Sequence, residues 1–444
     1  MTQDASGAGV SDPALYDRAR GGDVAAQIEL AESLSAAGEA EAAASWLSQA
    51  AGTQDAYATA LLGAWQIYAH NVPADPEQGL ARLHRAAESG ESAACALLAD
   101  LHAGGVAVAQ DWSAALDWLL SAARMGNARA LTQLAILQPG EDRDPLRTTL
   151  LWAAATRSYA TAQALLGRLL ARSTDAQQVQ AGRAWLFLAL RAHSPLVTDS
   201  EGNASGPAPA IDLRGPSAIE NLPWQAVRER IDISPWLRAL GPAVVCCDEP
   251  SIKGFSGVAS QAVCEYLIGL AGPLMRPAQV NDIHGGRRIH HMRTNSDAMI
   301  GPGNSDVLLR LVDHRVALAS ELPVGNQEST AILRYRGGET YENHYDFIDP
   351  RVPDFHAEIE TRGQRVATAL VYLNEDYEGG ATNFPKLGLA LRGRTGDAIV
   401  WRNVAADGSP DPRSLHAGMP PTQGEKWVLS KWIRSRAQSH AARA

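Results

Sequence analysis

Lysine is almost missing from this chain: its 444 residues hold four, Lys253, Lys386, Lys426 and Lys431, against 35 arginines. None precedes residue 245, and the first 244 residues set 17 Arg against 26 Asp+Glu, whereas the rest sets 22 Lys+Arg against 23. The net charge of −10 therefore sits in the first half. No cationic stripe of the kind that neutralises phosphates is present, which argues against a nucleic-acid partner. Cysteine is equally scarce. Cys95, Cys246, Cys247 and Cys264 show no CxxC spacing, and the adjacent pair suits zinc poorly, so all four read as buried free thiols in a reducing compartment, the cytoplasm. No uninterrupted apolar run reaches the roughly 18 residues a membrane span needs. The opening MTQDASGAGVSDPALYDRARGG lacks a basic stretch followed by an apolar one, so no signal peptide is expected. What remains, 45% hydrophobic and 20% charged, is the composition of a soluble globular chain long enough for two or three domains.

Two patterns divide that length. After a flexible start (1–19), residues 20–195 are rich in Ala and Leu with helical periodicity, and similar phrases return: GGDVAAQIELAESL, GTQDAYATALLGAWQIY, GESAACALLADLHAGG, GNARALTQLAIL. Each is followed by a second helical phrase such as GLARLHRAAESG, and the period of roughly 31–38 residues is that of helix–turn–helix repeats. An Ala-rich bundle without true repeats is the plainer alternative. A solenoid would offer an extended face to a protein partner. Residues 196–244 read as a Pro/Gly/Ser-rich linker and a short bridging helix. From 245 to 436 the pattern changes to two helices (SGVASQAVCEYLIGLAGPLM, SDVLLRLVDHRVALASEL) and then short alternating runs bounded by turn residues, before a flexible tail at 437–444. These runs predict an antiparallel sandwich with flanking helices. The fold class is thus multidomain α plus β.

Within the strands stand His344 and Asp346 (YENHYDF), His416 (RSLHAGMPP) and, ten residues later, Lys426 (GEKWVLSKWIR). Residues i and i+2 of a strand share a face, so His344 and Asp346 point inward together with Tyr345 outward. Two imidazoles and a carboxylate are the set that holds non-haem Fe(II) with coordination positions left open. Lys426 shares a strand face with Val428, Ser430 and Trp432; inside an apolar barrel its ammonium is costly unless an anion, such as the far carboxylate of a diacid co-substrate, relieves it. Tyr335 (ILRYRGG) and Tyr372 (ALVYLNE) are placed to donate hydroxyls to the same carboxylate, on strands flanking the first ligands. A His₂–carboxylate set also suits catalytic zinc, a reading that leaves Lys426 and Tyr335 without a role.

The region from EPSIKGFSGVASQAVCEYLIGLA through ILRYRGGETYENHYDF, VYLNEDYEGGATNFP and GDAIVWRN to SLHAGMPPTQGEKWVLSKWIR resembles the prolyl 4-hydroxylase family of Fe(II)/2-oxoglutarate dioxygenases. The helical half resembles tetratricopeptide-like repeats of the Sel-like subtype, LADLHAGGVAVAQDWSAALDWLLSAARMG matching best. The resemblance implies a double-stranded β-helix (jelly roll), iron on His344, Asp346 and His416, and the distal carboxylate of 2-oxoglutarate on Lys426. It places Tyr335, Thr382 and Trp432 around the co-substrate, implies ascorbate as a further requirement, and makes a peptide or protein proline the substrate. No separate acid–base or nucleophilic side chain is assigned. Arg293 and Arg334 are read as contacts to the substrate backbone. GGAT in place of the family's GGET, and RTNSD where RTS-Gly is usual, bear on which substrate enters. His284, His290 and His291 read as a loop over the site, His314 as a helix-face residue, and Trp401 and Trp427 as core. Another side chain or a small molecule as acceptor, or an inactive scaffold, are the alternatives.

Overall fold

A computed structural model describes residues 12–140, 144–202, 219–281, 287–288 and 292–438. The Ala/Leu phrases form helices α1 (Pro13–Arg20), α2 (Val24–Ala36), α3 (Ala40–Gly52), α4 (Ala56–Tyr68), α5 (Pro76–Glu88), α6 (Ser92–Gly104), α7 (Trp112–Arg124), α8 (Ala128–Leu137), α9 (Pro145–Ala155), α10 (Ala160–Ala171) and α11 (Ala176–Arg191). The first helices of successive hairpins begin at Val24, Ala56, Ser92, Ala128 and Ala160, 32 to 36 residues apart. Acidic N-caps start many of them: Asp23, Asp55, Asp75 and Asp111 each accept a backbone N–H from the first turn. This spends much of the acidic surplus on helix starts. Small residues set the hairpin spacing, since a Cβ on Gly63 would lie 2.8 Å from the Gly79 carbonyl and one on Gly79 would lie 2.7 Å from that of Gly63.

The described residues form two compact units, one within 12–131 and 219–228 and the other within 132–202 and 229–438. The division falls inside α8, so the last helical hairpin groups with the strands. The reason is local packing within the second unit. There α12 (Gln261–Ala271) crosses α10 where a Cβ on Gly269 would meet Thr161 at 2.4 Å, and Arg168 pairs with Glu265 at 3.3 Å. The described part of the bridging segment includes the short helices Trp224–Glu229 and Ser234–Leu237.

The strands are β1 (Val244–Cys247), β2 (Ile252–Phe255), β3 (Arg276–Pro277), β4 (Ser296–Ile300), β5 (Thr330–Tyr335), β6 (Tyr341–His344), β7 (Arg365–Tyr372), β8 (Thr382–Phe384), β9 (Leu389–Leu391), β10 (Ala398–Arg402), β11 (His416–Gly418) and β12 (Lys426–Arg434), with two shorter ladders besides. Among the described residues they make an eight-stranded antiparallel sheet, ordered β1-β2-β10-β7-β12-β5-β4-β3, and a four-stranded one, β9-β8-β11-β6. Alternate residues of the large sheet (Ala331, Leu333, Tyr335; Leu370, Tyr372; Ile399, Trp401; Val428) bury one face, onto which Phe384 of the small sheet packs. This is the jelly roll. Helix α13 (Val307–Ser320) covers the opposite face, where the buried Lys431 pairs with Asp313 at 2.7 Å. Only Cys95 and Cys264 are buried; Cys246 and Cys247 are half-buried, because β1 is a sheet edge with no strand beyond it. No helix among the described residues is long and apolar enough to cross a membrane.

Candidate active site

Strands β6 and β11 pair with His344 directly opposite His416, so the two rings project from one face, 4.2 Å apart between centroids. Asp346 follows β6 just past its end, with Oδ1 3.7 Å from His344 Nε2 and Oδ2 3.5 Å from His416 Nε2. Tyr345 points away and is exposed. Each ring is held by its other nitrogen: His344 Nδ1 lies 2.7 Å from the Glu342 carbonyl and His416 Nδ1 3.0 Å from that of Ser414. A carbonyl only accepts, so the proton sits on Nδ1 and both Nε2 lone pairs face the gap.

Electrostatics favour the same protonation states. Burial, with the His416 ring beside it, pulls His344 down to about 3, so the imidazole is neutral at physiological pH. Burial pushes the Asp346 carboxyl up, but the two imidazoles, the Thr368 hydroxyl and Arg365 outweigh it and hold it below its usual range. One potential ligand atom from each of the three residues lies within 4.8 Å of the others, the only such cluster among the described residues. Tyr341 stacks on His344 at 3.5 Å, and Trp401 meets His416 edge-on at 4.8 Å.

Lys426 opens β12 opposite Tyr335, with only 1% of its surface exposed. Its ammonium lies 5.2 Å from the Tyr335 ring centre and 5.9 Å from that of Tyr372, with no carboxylate paired to it among the described residues. Burial and the charge of Arg392 pull it down to about 7. Tyr335 and Tyr372 thus flank the strand of Lys426, not that of the first ligands. The Tyr372 hydroxyl reaches Thr382 Oγ1 at 3.3 Å, and a Cβ on Gly418 would come within 2.8 Å of the Tyr335 hydroxyl, so that position is kept bare. Trp432 stands on the same face, its Nε1 buried without a partner and its ring under Arg365 at 4.3 Å. Three converging donors, an unpaired buried cation and an orphaned indole N–H fit a ferrous ion with a dianionic co-substrate.

Of the two substrate candidates, Arg293 borders the metal-ligand rings through Tyr341 and Arg334 does not. Arg293 is buried, bonded to the Gln279 carbonyl at 2.9 Å and Asp297 at 3.0 Å, and lies over Tyr341. Arg334 alternates with Tyr335 and therefore occupies the opposite sheet face, over Trp427. His284, His290 and His291 lie outside the described residues. Thr368, Asn403 and Arg365 join the site without having been singled out, although period-2 spacing from Tyr372 and Trp401 marks the first two as inward-facing.

The profile of the 2OG-Fe(II) oxygenase superfamily matches residues 330–434. Prolyl 4-hydroxylase 1 of Arabidopsis thaliana is 31% identical over 247 residues, 50% of this chain and 85% of that protein. The chain belongs to the prolyl 4-hydroxylase family. Among solved structures, the viral collagen prolyl hydroxylase of Paramecium Bursaria Chlorella virus-1, in a 2OG complex, is 26% identical with a TM-score of 0.33, covering 43% of this chain and 99% of that one. A Sel1 repeat protein from Oxalobacter formigenes is 19% identical with a TM-score of 0.32, covering 46% of this chain and 87% of its own. As a prolyl 4-hydroxylase relative the protein is a 2-oxoglutarate-dependent dioxygenase whose cofactor is iron.

The unpaired lysine of this dioxygenase has a measurable cost. Unfolded, Lys426 titrates near 10.5; folded and without ligand, near 7. The folded state binds its proton more weakly, so stability rises with pH across that window and the penalty is fully present below it. Lys426→Met should stabilise the ligand-free protein by a few kcal/mol at about pH 6 and flatten the rise toward pH 10, read from urea melts. An unaltered profile would show that the ammonium is not buried unpaired.

Proposed function

We propose that the protein hydroxylates a proline side chain in a peptide or protein, consuming 2-oxoglutarate and dioxygen and releasing succinate and carbon dioxide. The observation that supports this reading is 31% identity with a prolyl 4-hydroxylase across 85% of that enzyme's length, together with an oxygenase profile over residues 330–434, which hold the donor set. His344, Asp346 and His416 would hold the iron, which supplies the oxidising chemistry. Lys426 binds and orients the co-substrate by its distal carboxylate. Tyr335, Tyr372, Thr382 and Trp432 close the pocket around it and exclude water, and the apolar wall formed by Phe384 and Trp401 keeps the His416 imidazole desolvated. Arg293 serves by backing Tyr341. Ascorbate sustains turnover, a partner protein docks on the helical hairpins, and free thiols suit a reducing cytoplasm.

The test pairs proline-containing peptides with matched Pro→Ala controls in the presence of Fe(II), 2-oxoglutarate and ascorbate, reading succinate and peptide mass. Succinate coupled to one added oxygen on proline is expected. Oxygen placed on another side chain, or succinate release indifferent to peptide, would move the assignment to the other acceptors.

A further inference from the structure

Strand alternation puts Thr368 on β7 and Asn403 just beyond β10 on the inner face, both fully enclosed, at 1% and 0% exposure. Buried polar groups are expensive unless bonded, and these two are bonded in one direction. The Asn403 amide Nδ2 donates to Thr368 Oγ1 at 2.9 Å, and the Thr368 hydroxyl, with its one hydrogen, donates to Asp346 Oδ2 at 2.7 Å. Strand packing restrains both residues, while Asn403 Oδ1 is buried without a partner of its own. Thr368 is β-branched and stands in register with Trp401 on one side and Trp432 on the other. The Asn403 backbone is pinned by the Val366 carbonyl at 2.9 Å and by the Asp411 N–H at 3.0 Å.

The carboxylate needs such a restraint. Each of its oxygens lies close to one imidazole Nε2, at 3.7 and 3.5 Å, so the donor set alone does not decide whether one or both would bind a metal. Three protein donor atoms leave three positions of an octahedral ion for a chelating keto acid and dioxygen; a fourth would close the position dioxygen requires. We propose that Thr368, oriented by Asn403, is a positioning residue that claims Oδ2 of Asp346 and so restricts this carboxylate to one-oxygen ligation. The proposal rests on reading the site as an iron and 2-oxoglutarate centre.

The full chain loaded with Mn(II), without co-substrate, gives a readout independent of turnover: the number of metal-bound waters, from line broadening in ¹⁷O-water electron paramagnetic resonance. About three are expected in the wild type and in Thr368→Ser, and about two in Thr368→Val, whose carboxylate is released to chelate. Turnover of Thr368→Val at saturating co-substrate should fall roughly 10- to 100-fold, the range for groups that orient metal ligands, with Thr368→Ser restoring most of it. Three waters in folded Thr368→Val would overturn the proposal whatever its rate. Should that variant not fold, Asn403→Ala decides, because it frees the hydroxyl to turn: a wild-type rate and water count there reject the relay. Failure of the underlying metal reading looks different, since Mn(II) would then bind Asp346→Ala as tightly as the wild type, or bind neither.

Discussion

Alanine at His344 or Asp346 is expected to reduce iron-dependent 2-oxoglutarate turnover by more than about 100-fold, beyond the usual loss for residues that only orient ligands. Each substitution removes a donor from a set of three, and no other His, Cys, Asp or Glu among the described residues completes a cluster. The fold should survive. His344→Ala gives up its stacking on Tyr341, and Asp346→Ala leaves the Thr368 hydroxyl without its acceptor, a loss of about 1–3 kcal/mol. Far-UV circular dichroism dominated by the helical hairpins should therefore be unchanged while succinate production disappears. Wild-type turnover in either variant would remove these residues from the metal centre.

Lys426→Ala should act on co-substrate affinity. A hydrogen bond between charged groups contributes about 1.5–3 kcal/mol, which corresponds to a roughly 10- to 150-fold rise in the apparent 2-oxoglutarate requirement. The maximal rate at saturation should change much less. Lys426→Arg should recover little, because a planar guanidinium does not fit the slot between the Tyr335 and Tyr372 rings as a compact ammonium does. The pH dependence has a definite sign. The free protein loses the Lys426 proton near 7, whereas the carboxylate needs it in place, so co-substrate binding takes up a proton and weakens as pH rises above that value. Calorimetry in buffers of different ionisation enthalpy would detect the uptake. A requirement unchanged in Lys426→Ala would make the residue merely structural.

Much of the site was legible before the fold. The His-x-Asp spacing assigns two donors to one face because strand side chains alternate, and Tyr345 is indeed the exposed residue between them. The same rule applied to RVATALVY and AIVWRN would have found Thr368 and Asn403. They escaped notice because a threonine and an asparagine in apolar strands carry no chemical signal of their own. Arg334 shows the converse: chemically suited to a substrate, it sits one residue from Tyr335 and hence on the wrong face. Arg365 was hidden differently, since its bidentate pairing with Glu328 at 2.7 and 2.9 Å joins positions 37 residues apart.

The chain's local order by itself determined the helical period, the alternating strands, the choice of donor atoms and the single lysine on the inner face of β12, because each follows from spacing along the backbone. Only the tertiary structure decided that His416 stands opposite His344, that Lys426 lies between two tyrosines rather than beside the metal ligands' strand, and that the compact units divide within α8. Register and unit boundaries depend on which surfaces bury one another across long stretches of chain, and spacing within a segment holds no record of that choice.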